Sequence, residues 1–325
     1  MRMPGRRFLR RLARPLSRRL FPGAAIMGYH RVADLDWDPL GLAVGTRNFR
    51  SQLSLLSRFR EIVSLSDLIR RQQAGEPIDK CVVLTFDDGY SDFLDQALPI
   101  LAEAEVPGTV FVTTGFTGGT FWWEQVAGML APGTRGRSQL VIDTGSGETL
   151  AFDDIEGPAA AAQAIRTICH HLRGGDPDRV SSVVSQIRDW AGRDDDDRVT
   201  GRPLTADQIG ALGGESLAEI GAHTVSHGCL GDMDIAAQRI EVERSRIELE
   251  RISGGPVAGF SYPNGSYSPE TPGIVKRAGF RYACASTEGT YRASGDCFLI
   301  PRLWVSDIGD QAFEQWLSSW IRVRD

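Results

Sequence analysis

Two aspartates, Asp87 and Asp88, stand side by side directly after the apolar run 81–86. Carboxylates this close together in a buried place repel each other and raise each other's pKa. A divalent cation removes that cost by taking one carboxylate as a ligand, and the other is then free to act as a base toward water. An Asx-turn with a helix cap would use only one of the two aspartates. The pair therefore predicts a metal-dependent hydrolytic site.

Two histidines, His223 and His227, lie four residues apart after the apolar stretch 219–222, in a chain that has only 5 histidines. Two imidazoles at this spacing can face one divalent ion, either from a helical turn or from a tight loop. The spacing alone also fits one capping and one exposed histidine. Together with one aspartate, the two histidines would supply the three protein ligands and the open position that a catalytic zinc site needs.

Strand and helix patterns alternate along most of the chain, and this alternation must position these groups. Continuous apolar runs predict buried strands, and apolar residues at helical spacing predict the helices between them. Such alternation is typical of a parallel sheet or barrel, and about seven or eight strand–helix units fit the length outside the tail and an insertion. The predicted strands are 24–30, 61–65, 81–89, 106–114, 217–227, 257–265, 280–286 and 298–305, and the predicted helices are 47–58, 92–104, 204–212, 234–252 and 271–278.

Polar groups follow four of these predicted strands. Catalytic groups of a strand–helix barrel come from the carboxyl ends of several strands. We therefore expect the four sets to meet at one rim of the barrel. They are Tyr29–His30, Asp87–Asp88, His223 with His227, and Pro263–Asn264–Gly265.

The alternation breaks between residues 118 and 200. This stretch holds an apolar helix pattern, a hairpin turning near Gly145 and Gly147, two further helix patterns and an acidic run at 194–197. It contains no parallel-strand pattern, so we interpret it as a mostly helical insertion in a loop of the parent fold.

The two chemical motifs resemble those of a known family. T-F-D-D-G at 85–89 and H-T-V-S-H at 223–227 resemble the first two motifs of the polysaccharide deacetylase family, which is carbohydrate esterase family 4 with its nodulation-factor deacetylase homology domain. The resemblance covers roughly 24–117 and 201–305. It implies a distorted (β/α)₇ barrel that hydrolyses the N-acetyl group of a hexosamine and releases acetate.

The resemblance also implies a role for each motif residue. It makes Asp87 the general base, and it makes Asp88, His223 and His227 the ligands of a divalent metal. Zn²⁺ is the expected metal, with Co²⁺, Ni²⁺ or Mn²⁺ as alternatives. The implied substrate is a glycan or a glycolipid.

The third family motif is altered in this chain. The family form is Arg-x-Pro-Tyr-Gly, whereas residues 261–265 read Ser-Tyr-Pro-Asn-Gly. The backbone N–H of Asn264 could still bind the oxyanion, because that role needs no particular side chain. Ser261 cannot orient the base as the family's arginine does, and Arg302 is the candidate substitute. We expect Tyr262, Pro263, Arg302 and Trp123 to contact the substrate.

The last family motif, Leu-x-His, is absent, since no histidine follows His227. A general acid must still protonate the departing amine. His30 is the candidate, because the first and last strands of a closed barrel are neighbours. This arrangement is similar to the subgroup that acts on poly-N-acetylglucosamine, in which the acid lies on the N-terminal strand. A core or loop histidine is the alternative.

Trp122 and Trp123 begin the insertion. Such a pair often anchors an insertion to its domain, and aromatic rings also stack on sugars. We expect one of the two to be the anchor and assign the sugar contact to Trp123.

Composition and charge bound the remaining possibilities. The net charge of −6 gives no reason to expect nucleic acid as a partner. The 5 cysteines are scattered without C-x-x-C spacing, which argues against a cysteine zinc site and for a reducing compartment. We therefore expect a cytoplasmic enzyme.

The N-terminal segment, residues 1–22, is strongly basic. Eight arginines fall within residues 1–21, with apolar residues between them at helical spacing. This pattern fits a segment that lies on an anionic membrane surface, here the inner membrane, and it equally fits a solvated tail. The deacetylase domain would then be 23–325, interrupted by the insertion at about 118–200.

Other functions fit the same residues. The metal site would also serve an esterase that removes O-acetyl groups, or a deacetylase of peptidoglycan. The altered third motif would fit a glycan-binding module without activity.

Overall fold

The structure is a computed structural model that describes residues 23–134, 139–192 and 198–321. Parallel strands alternate with helices over most of this length. The strands are β1 Ala25–Tyr29, β2 Arg31–Val32, β3 Ala43–Val44, β4 Glu61–Ile62, β5 Cys81–Phe86, β6 Gly108–Val112, β7 Gln139–Asp143, β8 Thr149–Asp153, β9 Ala218–Ala222, β10 Gly259–Ser261, β11 Tyr282–Glu288 and β12 Ile300–Trp304. The helices are α1 Thr46–Phe59, α2 Leu65–Gln73, α3 Leu98–Glu103, α4 Trp122–Met129, α5 Pro158–Leu172, α6 Pro177–Ala191, α7 Ala206–Leu212, α8 Ile235–Ser253, α9 Thr271–Arg277 and α10 Asp310–Ser318.

Seven parallel strands close into a barrel. The ring runs β1-β12-β11-β10-β9-β6-β5, and β5 pairs again with β1. Ala25–Tyr29 lies opposite Val82–Phe86, and Met27 lies opposite Leu303, so β1 is inserted between β5 and β12. The short β4 pairs with β5 outside the ring. The predicted distorted (β/α)₇ barrel is confirmed.

The strand sequences explain why the barrel forms. All six residues of β5 are buried, as expected for a parallel strand that is covered by side chains inside the ring and by helices outside it. Helix α1 buries Phe49, Leu53 and Leu56 on one face against this core. Each buried side chain of this size contributes roughly 1.5–3 kcal/mol relative to an exposed one.

The predicted insertion supplies α4, the β7–β8 hairpin, α5 and α6, between β6 and β9. Its apolar side chains form a second core, which includes Met129, Ile142, Ile165 and Ile187. The hairpin pairs antiparallel and turns through Gly145 and Gly147, as the sequence predicts.

The predicted helix 92–104 is a π-helical turn at Phe93–Ala97 followed by α3. No helix in the three described ranges is long and apolar enough to cross a membrane. The basic segment 1–22 and the acidic run 194–197 lie outside the described residues.

Candidate metal and catalytic site

In each of the first two motifs, a residue that follows the strand has a strained backbone conformation. Asp88 follows β5 at φ 73°, and His227 sits in the turn after β9 at φ 61°. Non-glycine residues in this left-handed region cost roughly 1–2 kcal/mol each, so their presence here points to a function. At Gly89, with φ 84°, an added Cβ would lie 3.0 Å from the Cα of Val112, which explains the glycine of the first motif.

The turn between the two histidines is held by the barrel around it. The N–H groups of Val225 and Ser226 both donate to a carboxylate oxygen of Glu241 on α8, at 2.8 and 2.9 Å. The N–H of His227 donates to Thr224 Oγ1 at 3.1 Å. These bonds fix the position of the second histidine relative to the first.

Asp88, His223 and His227 bring one ligand atom each to a common point, with all three atoms within 4.8 Å of one another. Asp88 Oδ1 lies 3.1 Å from His227 Nε2 and 3.5 Å from His223 Nε2. This oxygen is buried and makes no hydrogen bond within the described structure. A buried, unsatisfied carboxylate oxygen facing two imidazole nitrogens fits a divalent cation, and two nitrogens and one oxygen form a zinc-type donor set with an open position.

The tautomer of His223 also suits a metal ligand. Its Nδ1 lies 2.8 Å from the backbone carbonyl oxygen of Ser261, which can only accept. Nδ1 therefore carries a hydrogen, and Nε2, which lies on the side of Asp88, is left available as a metal ligand. Burial would raise the pKa of Asp88, but His227 and His223 hold that pKa well below its usual value.

Asp87 is held by a buried arginine. Arg302 donates from Nη1 to Oδ1 and from Nη2 to Oδ2, both at 2.7 Å, in the two-pronged geometry that favours arginine. Ser261 Oγ accepts from Arg302 Nη2 at 2.9 Å and donates to Asp87 Oδ2 at 3.2 Å. Burial would raise the pKa of Asp87, but Arg302 and His223 more than offset this and lower it. Asp87 is thus fixed as a carboxylate beside the metal ligands.

His30 reaches the same place from the first strand. It follows β1, which pairs with both β5 and β12. Its ring stacks on Trp304, with centroids 5.0 Å apart and planes 16° apart. Burial lowers the pKa of His30, although Asp88 and Asp87 oppose that effect. The ring lines the same cavity as the two aspartates.

The site lies in a cavity of about 810 Å³. Residues of both the barrel and the insertion line it. The barrel contributes His30, Asp87, Asp88, His223, His227, Asn264 and Trp304, and the insertion contributes Trp122, Leu172, Arg173, Val180, Val184 and Arg188. A cavity of this volume is in the range that binds ligands of drug size.

A family model described as polysaccharide deacetylase matches residues 74–135 and 187–283, which include both motifs. The chain belongs to the polysaccharide deacetylase family. This assignment agrees with the resemblance that the motifs predict.

Relatives of known name or structure are similar to this chain over different lengths. The poly-beta-1,6-N-acetyl-D-glucosamine N-deacetylase of Escherichia coli (strain K12) is 33% identical over 87 residues, which are 26% of this chain and 13% of the relative. The deacetylase PplD of Streptococcus pyogenes, solved with acetate, is 19% identical, with a TM-score of 0.59 over 90% of this chain and 98% of its own. IcaB of Ammonifex degensii is also 19% identical, with a TM-score of 0.57 over 92% of this chain and 97% of its own. The two structures share the fold of this chain.

Most of the predicted site residues meet at the cavity. The structure brings together Asp87, Asp88, His223, His227 and His30. Asn264 also lines the cavity, at φ 54° in the turn Pro263–Gly265.

Three residues expected to contact the substrate lie elsewhere. Tyr262 is 0% exposed and donates its hydroxyl to the carbonyl oxygen of Phe298, so it belongs to the core. Pro263 is buried and starts the turn that presents Asn264. Arg302 is 0% exposed behind Asp87, so it can act on the base and cannot reach a substrate directly.

Trp123 is the anchor of the insertion. Only 5% of it is exposed, and its ring stacks on Phe121 with centroids 4.7 Å apart. The ring of Trp123 also packs against the metal-ligand candidate His227, whose ring centroid lies 4.9 Å away. Both tryptophans line the cavity, and Trp122 is the less buried of the two.

A buried ion-pair network joins the anchor to the barrel. Trp123 Nε1 donates to Tyr90 Oη at 2.6 Å, and that hydroxyl donates to Glu124 at 3.0 Å. Glu124 pairs with Arg31 at 3.2 Å, and Arg31 pairs with Asp92 at 2.8 Å. Arg31 directly follows His30, so the first helix of the insertion contacts the segments that carry both His30 and His227.

Sequence reasoning missed Trp304, which stacks on His30 and lies 4.5 Å from the guanidinium carbon of Arg302. The spacing of Trp304 in the sequence indicates this position. Residues two apart on a strand lie on the same face of the sheet, so a role for Arg302 at the site also places Trp304 near it.

Proposed function

We propose that this protein is a metal-dependent hydrolase that removes N-acetyl groups from hexosamine units of a polysaccharide or of a lipid-linked glycan precursor. One observation carries the proposal. Three convergent ligand candidates, Asp88, His223 and His227, stand beside a carboxylate fixed by Arg302 and across a shared cavity from His30. The similarity to an enzyme named for poly-N-acetylglucosamine supports an N-acetylhexosamine substrate.

The three ligand candidates would hold a divalent ion, and Zn²⁺ suits their nitrogen and oxygen donors best, with Co²⁺, Ni²⁺ or Mn²⁺ able to replace it. When bound, such an ion lowers the pKa of water toward ~7 and polarises the carbonyl under attack.

Asp87 is the general base of the proposed mechanism. Its carboxylate accepts the proton of the attacking water, and its low pKa keeps it ionised near neutral pH. Arg302 and Ser261 hold both oxygens in a fixed plane, so the base needs no rearrangement before it accepts the proton.

His30 is the general acid of the proposed mechanism. The departing amine must gain a proton as the amide bond breaks, and an imidazole in the same cavity can donate it. Stacking on Trp304 fixes the plane of the ring. The N–H of Asn264, in a turn held at positive φ, is the candidate donor to the oxyanion.

Product analysis tests the proposal against its enzyme alternatives. Purified protein is incubated with N-acetylglucosamine oligomers, an O-acetylated sugar and peptidoglycan fragments, and acetate, free amine and free hydroxyl are measured. The proposal expects acetate and free amine in equal amounts from the N-acetylglucosamine oligomers. Free hydroxyl alone would indicate an O-acetyl esterase, activity on peptidoglycan alone would indicate the other deacetylase, and no acetate at all would leave a glycan-binding module.

We also propose that the enzyme is cytoplasmic and works at the inner membrane. The support is in the sequence, where eight arginines within residues 1–21 alternate with apolar residues. Basic segments of this kind are attracted to anionic lipid surfaces, where lipid-linked glycan precursors are found.

A further inference from the structure

The loop 223–227, which joins the two histidine ligand candidates, is strained at two positions. Thr224 has φ 64° and His227 has φ 61°, and non-glycine residues seldom adopt this left-handed region. Residues in such conformations cost of order 1–3 kcal/mol each and persist only where the surrounding structure holds them. The place of His227 Nε2, 3.1 Å from Asp88 Oδ1, therefore depends on the partners of this loop.

The carbonyl groups of the loop are held by the backbone that follows β6. The carbonyl oxygens of Thr224 and Val225 accept from the N–H groups of Thr114 and Gly115, at 3.2 and 2.8 Å. A Cβ added at Gly115 would collide with the carbonyl oxygen of Val225, so this approach requires glycine. These bonds tie the middle of the loop to the rim of the barrel.

The N–H groups of the loop are bound by Glu241 on α8. Val225 and Ser226 both donate to its Oε2, at 2.8 and 2.9 Å. Successive N–H groups that converge in this way form a concave site for an anion, and here the carboxylate of Glu241 fills it. Hydrogen bonds to a charged acceptor are roughly twice as strong as those to a neutral one. Glu241 is thus the side chain best placed to offset the strain of the loop.

Glu241 acts from outside the substrate cavity. It lines a smaller cavity together with Ser226 and Met233, and among the described residues it does not line the cavity that holds the two aspartates. Any effect of Glu241 on catalysis must therefore pass through the loop and through His227 at the end of it.

We infer that Glu241 is a positioning residue that sets the affinity of the site for its divalent ion by holding the loop 223–227 in its strained conformation. The inference rests on the proposed metal site and adds a residue that belongs to neither motif. Without the carboxylate the loop would relax, and His227 would leave the point that it shares with Asp88 and His223. Ion binding would then have to reorder the loop, and the free energy of that reordering weakens the binding.

Zinc affinity in matched variants tests this inference. A chelator of known affinity withdraws zinc from the loaded protein, and the competition gives the Kd for zinc. Glu241→Ala removes the acceptor, whereas Glu241→Gln keeps one neutral oxygen that can accept both N–H groups. Glu243→Ala, which removes an exposed carboxylate from the same helix, is the control. KM for the N-acetylglucosamine disaccharide is measured at saturating zinc.

Glu241→Ala should raise the Kd for zinc roughly tenfold to a hundredfold, the usual effect of removing a group that orients a metal ligand. Glu241→Gln should recover most of the affinity, and Glu243→Ala should match the wild type. KM at saturating zinc should stay unchanged in all three variants, because Glu241 acts through the ion and does not contact the sugar.

A Kd in Glu241→Ala equal to that of the wild type would overturn the inference, and so would a Glu241→Gln protein as weak as Glu241→Ala. If Glu241→Ala does not fold, Glu241→Asp replaces it, because it keeps the charge and withdraws the oxygen by one methylene. Zinc binding by Glu241→Asp as tight as that of the wild type would then overturn the inference. A wild type that binds no zinc would overturn the metal site itself together with the inference, whereas unchanged variants of a zinc-binding wild type overturn the inference alone.

Discussion

At the residue scale, the site depends on how Asp87 is held. The family's third motif places an arginine where this chain has Ser261, and the guanidinium comes instead from Arg302 on the last strand. The small side chain of Ser261 joins the pair as both donor and acceptor. Asp87 therefore has a two-pronged arginine contact in this chain although the arginine of the third motif is absent.

Replacing Arg302 by Gln should move the acid limb of kcat/KM to higher pH. Asp87 accepts a proton only when it is ionised, so activity is lost as the pH falls through its pKa. Burial raises that pKa and Arg302 lowers it, so the variant's carboxyl titrates at a higher pH than the wild type's. Breaking this buried pair should also cost about 3–5 kcal/mol of unfolding free energy. The pH profile is compared with that of Arg50→Gln, whose exposed pair with Glu103 is remote from the site, and equal profiles would contradict the role of Arg302.

Replacing His30 by Ala should lower turnover by about 10²- to 10⁴-fold, the usual contribution of a general acid. The metal content of the purified protein should stay unchanged, because His30 is not among the three ligand candidates. Turnover is measured as acetate release, and metal by elemental analysis. His170→Ala, which removes an exposed histidine of α5, is the control. Near-normal turnover in His30→Ala would refute the assignment.

Part of this chemistry could be predicted from the sequence. Asp87, Asp88, His223 and His227 are recognisable because each set lies within one short motif after an apolar strand. Arg302 lies 215 residues from Asp87, so sequence reasoning could nominate it but could not show that it pairs with the base. Tyr262 is predicted to contact the substrate, but its side chain is buried in the core. A position within a motif does not indicate whether the side chain points into the cavity or into the core.

At the element scale, α4 links the insertion to the catalytic rim. Trp123 packs on His227, and the next residue, Glu124, pairs with Arg31 beside His30. The sequence predicts a tryptophan anchor but not this network, because the partners Tyr90, Arg31 and Asp92 come from segments far apart in the chain.

Replacing Glu124 by Ala should lower the free energy of unfolding by about 3–5 kcal/mol, because it leaves the buried Arg31 short of a partner. Thermal or denaturant unfolding measures the change. Glu103→Ala removes an exposed glutamate that also pairs with an arginine, and it should leave stability nearly unchanged. Similar effects of the two substitutions would show that the network does not secure the insertion.

At the scale of the whole molecule, the order of the strands decides which residues meet. The ring places β1 between β5 and β12, so His30, Asp87 and Arg302 come from three adjacent strands. Alternating strand and helix patterns predict the barrel, and closure predicts that the first and last strands are neighbours. The patterns do not predict that α5 and α6 fold back over the rim, because that depends on packing between two separate cores.

Removing residues 1–22 should abolish binding to anionic vesicles if this segment is the membrane contact. Sedimentation with vesicles that contain phosphatidylserine is compared for the full chain and the shortened one, at low and high salt. The full chain should bind at low salt and be released as the salt rises, because each arginine near the surface contributes only about 1 kcal/mol. Equal binding of both proteins would contradict a membrane role for the segment.

The proposed deacetylation depends on one divalent ion held by Asp88, His223 and His227. The most direct test titrates Zn²⁺ into metal-free protein and measures bound metal and acetate release from an N-acetylglucosamine oligomer together. We predict that acetate release rises in proportion to bound zinc and saturates at about one ion per chain, as expected for a single three-ligand site. Acetate release at the full rate from metal-free protein, or bound zinc that leaves the rate unchanged, would rule out this metal dependence.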